Sequence, residues 1–137
     1  EQALLVFERE NALIDQARVR YQMALGSLLK LTDLPKTIQL FTQAAEIFRA
    51  TNLDLWYAMC MNDLGSVYLY TGELALSNEN YQQAEEIFAH HEIKGLLADN
   101  LNDHGEVNIL RGKPQDSIRI TSGRSSAPFI LAKITSR

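Results

Sequence analysis

The chain has 137 residues, 46% of them hydrophobic and 22% charged, with a formal net charge of −4. That is enough chain to bury a core as one domain without disulfide staples or metals, and no apolar run reaches the roughly 18 residues of a membrane-spanning helix. The acidic balance argues against a nucleic-acid surface, which needs Lys and Arg gathered on one face.

Cys60 is the single cysteine, so no disulfide forms within the chain and a reducing, cytoplasmic setting is expected. The sequence starts at Glu1 with neither Met nor a signal segment, as expected for a piece of a longer protein.

In chain order, residues 1–12 are expected to finish a preceding helix or to form an N-terminal cap, with a continuous first helix as the alternative. Helices are then expected near 13–32, 35–51, 54–71, 74–91 and 94–111, with a sixth starting at Pro114. Leu74, Ser77, Tyr81, Ala84, Phe88 and His91 recur at steps of three and four, as do Ala58, Met61, Leu64, Gly65 and Tyr68, so each set lies on one helical face. The intervening Thr71-Gly72-Glu73 reads as a turn, and Asp33-Leu34-Pro35 and Gly112-Lys113-Pro114 occupy equivalent places, with Pro suited to the first turn of the next helix.

These helices repeat. "NDLGSVYLYTG" at 62–72 returns as "NDHGEVNILRG" at 102–112, a spacing of 40 residues, and "EIF" at 46–48 returns at 86–88. "ALGSLLKLTD" at 24–33 matches 63–72 at a spacing of 39. The expected organisation is therefore repeat 1 over 13–51, repeat 2 over 54–91, an incomplete repeat 3 over 94–120 and an atypical tail over 121–137. A lone helical hairpin cannot cover its own apolar stripe, so the pairs must stack, giving an all-α fold of stacked antiparallel hairpins, an α-solenoid.

Leu64-Gly65, Tyr68, Tyr81 and Ala84 stand at the spacing of the tetratricopeptide repeat, and Leu25-Gly26, Leu29, Phe41 and Ala44 restate it one copy earlier. The chain resembles that family over about residues 13–120, in a long-helix variant, because the usual period is about 34. Residues 95–105, "GLLADNLNDHG", resemble the glycine-containing joint of long-helix arrays. HEAT-type repeats share the length but lack the Gly-x-x-Tyr slot. A glycine in that slot lets paired helices approach closely, with Ala84 small on the opposite side.

By that resemblance the first helix of each hairpin lines a concave groove for a protein or peptide segment. The groove slots, counted from the glycine, are Arg20, Met23, Ser27 and Lys30, then Met59, Asn62, Ser66 and Leu69, then Asp99, Asn102, Glu106 and Ile109. Asn62 and Asn102 share one slot, where an amide can donate to and accept from the backbone of an extended ligand; simple duplication of the repeat is the alternative. The resemblance implies a scaffold module of a larger signalling or regulatory protein, such as the sensor region of a multidomain bacterial transcription regulator. A structural, self-associating repeat or a eukaryotic adaptor scaffold like kinesin light chain or Pins is the alternative.

Asp99, Asp103 and Glu106 follow one face at i, i+4 and i+7 but converge from one direction only, and His90-His91 diverge as neighbours, so neither set is read as a metal site. His104 and Asn108 replace Leu64 and Tyr68 in core slots; either they satisfy each other one turn apart, or the third copy is a looser end. Residues 117–137 carry four basic residues, Arg119, Arg124, Lys133 and Arg137, and no acidic one, and the apolar stretch 128–134 is expected to dock on an exposed apolar face. No phosphate-binding glycine loop, nucleophile elbow or Cys–His pair is present, and Cys60 reads as packing, so neither catalysis nor a cofactor is expected.

Overall fold

The computed structural model describes residues 2–112. They form five α-helices in the order α1 (Gln2–Lys30), α2 (Leu34–Ala50), α3 (Asp54–Thr71), α4 (Leu74–His90) and α5 (Lys94–Leu110). The last four begin and end within one residue of the sequence-based bounds. The first does not: residues 2–12 belong to the same uninterrupted helix as the first repeat. The continuous-helix alternative holds there, because nothing in 2–30 supplies a break such as an internal proline or a glycine in a left-handed turn. The expected sixth helix at Pro114, the tail from 121 and the apolar stretch 128–134 lie outside the described residues.

Each helix ends in the same way. Beyond the last turn one residue takes a left-handed conformation and its amide turns back onto the helix, as in Leu31 N–H to Leu28 C=O (3.1 Å); after α1 to α4 the next amide does so too, as in Thr32 N–H to Ser27 C=O (3.1 Å). Gly72 and Gly112 fill that slot at φ 85° and 76°, where glycine carries no Cβ penalty, but Leu31, Asn52 and Glu92 fill it as well. At the start of α2 the Asp33 carboxylate accepts from the Lys36 amide at 3.2 Å, and Pro35 lies in the first turn, where its missing N–H costs nothing.

The chain divides into two compact units, one ending at Cys60 and the other beginning at Met61, so that α3 contributes to both. In the first unit α1 packs on α2, burying Ala17, Tyr21 and Ala24 against Leu40, Phe41, Ala44, Ala45 and Phe48. An aromatic cluster joins the start of α3 to this pair. Trp56 stacks on Phe48 at 5.2 Å and meets the edge of Tyr21 at 5.6 Å, and Tyr21 meets Phe41 at 5.6 Å. Cys60 is buried here as well.

In the second unit Met61, Leu64, Val67, Leu69 and Tyr70 of α3 are buried, as are Ser77, Tyr81, Ala84 and Phe88 of α4, while α5 packs on α4. Gly65 has the role expected of it, since a Cβ there would lie 2.8 Å from two ring carbons of the buried Tyr81. The Ser77 hydroxyl donates to the Gly65 carbonyl at 2.7 Å, a second contact between α4 and α3 at this glycine. Gly26, in the same slot one repeat earlier, corrects the rule: nothing lies within 4 Å of where its Cβ would be. Leu29, expected in the slot of Tyr68, is 81% exposed, and His91 lies exposed just past the end of α4.

Candidate protein-binding surface

Within the first unit, two of the expected groove residues come together. Arg20 and Met23 line a groove of about 620 Å³ between α1 and α2, with Asp15, Gln16 and Val19 from α1 and Lys36, Leu40 and Gln43 from α2. The Arg20 Nε–H donates to Gln43 Oε1 at 3.2 Å, a bond between the two walls of the groove. A second groove, of about 530 Å³, lies on the other side of α1, where Asp15, Arg18, Val19, Gln22 and Met23 face Trp56. Val19 and Met23, 58% and 54% exposed, thus form an apolar ridge with a groove on each side.

The guanidinium of Arg18 lies over the Trp56 ring at 5.9 Å, and its Nη1 is 3.9 Å from Asp15. Of the other expected residues of this unit, Lys30 is exposed in the last turn of α1, and Ser27 and Met59 are half-buried. Lys36, Leu40 and Gln43, the second wall of the first groove, were missed by counting along first helices only. Their i, i+4, i+7 spacing on α2 was the signal that could have found them.

The second unit treats its expected residues differently. Asn62 is half-buried, and its Oδ1 accepts from Asn100 Nδ2 at 2.9 Å; Asn100, fully buried, also donates to the Tyr81 carbonyl at 3.0 Å. Ser66 is buried and shares a 2.8 Å hydrogen bond with the Tyr81 hydroxyl. Leu69 and Asn102 are also buried, so these three side chains are not presented to solvent as the slot count expected. Asp99 and Ile109 are exposed and Glu106 half-buried, whereas Asp103, expected on the same exposed face as Asp99, is buried. Burial pushes the Tyr81 phenol well above its ordinary pKa, and the charges of Asp103 and Asp63 push the same way against the bond from Ser66.

His104 does not pair with Asn108, as one expectation had it. Its ring turns to α4, with Nδ1 3.3 Å from Glu85 Oε2 and Nε2 against Asn78 Oδ1. The physical reason is reach: the α4 side chains meet the ring across the helix interface, where a buried polar group must find its partner.

No helix among the described residues is long and apolar enough to cross a membrane. Comparison with curated proteins and with solved structures gives no match. The family model described as Tetratricopeptide repeat matches residues 15–90, more than half of the chain. Repeats of that family hold protein or peptide partners in general and are typically scaffolds without catalysis. From the matched residues and the helical hairpins built on them, the chain belongs to the tetratricopeptide repeat family.

Proposed function

We propose that the chain is a peptide-binding scaffold module of a larger signalling or regulatory protein, and that its recognition surface is centred on Arg20 and Met23. The observation that supports this reading most is the exposed ridge of Val19 and Met23 with an open groove on each flank. An apolar ridge between polar walls offers burial for a partner's apolar side chains and orienting groups for its backbone. Ser27, Lys30, Met59, Asn62, Asp99 and Glu106 are proposed as further contacts, each within its own unit; the buried Ser66 and Asn102 are proposed to act by supporting neighbours. The glycine-containing joint at 95–105 favours the sensor region of a bacterial transcription regulator over an adaptor scaffold.

Panning a random peptide display library on the chain and on its Met23→Asp variant tests the reading. Enrichment of a shared motif on the parent, lost on the variant, is the expected outcome. A parent that enriches nothing beyond the bare support removes the proposal. Self-association is a second reading, favoured by the exposed run Leu4-Leu5-Val6-Phe7 on α1 and checked by sedimentation velocity.

A further inference from the structure

The two grooves beside α1 have a charge bias that the family assignment does not supply. Their walls carry three cations, Arg18, Arg20 and Lys36, against one carboxylate, Asp15. Asp15, which borders both grooves, is itself 3.9 Å from Arg18, so the sole acid stands next to a cation of the second groove. The cations are held apart on both sides of the Val19–Met23 ridge. Arg20 is fixed by Gln43, Arg18 lies over Trp56, and Lys36 is exposed at the start of α2. The groups between them are apolar: the Val19–Met23 ridge, with Leu40 in the first groove and Trp56 in the second.

From this geometry we infer that the ridge of α1 takes an acidic peptide in which bulky apolar residues alternate with Asp or Glu. The apolar side chains straddle Val19 and Met23, and the flanking carboxylates meet Arg20 and Lys36 on one side and Arg18 on the other. A guanidinium whose Nε is already engaged still presents its terminal N–H groups to a carboxylate. The bias runs against the chain as a whole, whose net charge is −4. Attraction therefore comes from this local patch, so it is short-ranged and screened by salt.

This inference rests on the peptide-binding reading and deepens it. Its test is fluorescence anisotropy on the full chain with three labelled probe peptides of equal length: one of alternating Glu and Leu or Phe, one with Lys for every Glu, and one with Ser for every apolar residue. The first is expected to bind, more weakly as salt rises, and the other two at least roughly tenfold less well. Lys36→Glu, at an exposed side chain, is expected to weaken the first peptide several-fold, and Arg20→Glu with Lys36→Glu by roughly tenfold or more, with circular-dichroism melts confirming that both variants fold. Equal binding of the Glu and Lys peptides, or unchanged affinity in folded Lys36→Glu, overturns the inference. Peptide capture in the library experiment would still stand in that case, so the two failures are distinguishable.

Discussion

At the residue scale the two glycines of one repeat slot show why a motif letter does not fix its own energetics. A Cβ on Gly65 would lie 2.8 Å from the Tyr81 ring, and that ring is fully buried and cannot swing aside. A Cβ on Gly26 would meet nothing within 4 Å, in the interior of a helix where glycine costs about 0.5–1 kcal/mol relative to alanine. Gly65→Ala is therefore expected to destabilise the chain by about 1–3 kcal/mol, and Gly26→Ala to stabilise it by up to about 1 kcal/mol. Urea denaturation of both variants checks the pair of signs; two changes of the same sign would show that the slot is not read by its opposing side chain. From the sequence alone Gly65 and Gly26 are indistinguishable, since each follows a Leu and precedes a Ser. What separates them is packing: Tyr81 presses on Gly65, whereas Phe41, the buried aromatic of the earlier copy, does not come within 4 Å of a Cβ at Gly26.

At the element scale the joint between α4 and α5 carries polar residues at positions that are apolar one repeat earlier in the sequence. His104, Asn78 and Glu85 correspond, 40 residues back, to Leu64, Ile38 and Ala45. Three slots have changed together from hydrocarbon to hydrogen-bonding groups, and in the structure the three side chains meet. His104 is the hub of the set, so removing it takes the ring contact from two half-buried groups at once. His104→Leu alone is expected to cost about 1–3 kcal/mol, while the triple variant His104→Leu, Asn78→Ile, Glu85→Ala recovers most of the loss. Denaturation curves around that cycle should give a coupling of at least about 1 kcal/mol; strictly additive effects would mean that the three do not act as one unit. The change at His104 was legible as a core slot turned polar. Its partners were not, because they sit 19 and 26 residues away on another helix and only packing pairs them.

At the largest scale the clearest unfulfilled surface among the described residues is the start of α1. Leu4, Leu5, Val6 and Phe7 are 52–61% exposed and point around the full circumference of the helix, and a helical segment apolar on all sides is normally covered. If the cover is a second copy, the sedimentation coefficient of the parent rises with concentration and that of Leu5→Glu with Phe7→Glu does not. A parent that sediments as a monomer throughout removes self-association from consideration.

The sequence by itself determined the helices, the hairpin turns and the family, because the periodicity of apolar residues and the signals at helix ends are local and survive in one dimension. It also marked Arg20 and Met23, which stand beside a groove. Only the tertiary structure decided which polar slots face solvent. Asn62 and Ser66 were counted onto an open face from the family resemblance, yet Asn100 and Tyr81 arrive from other helices to engage them. Helical spacing says which residues share a face; what lies opposite that face is set by packing, and burial follows from the neighbour rather than from the residue.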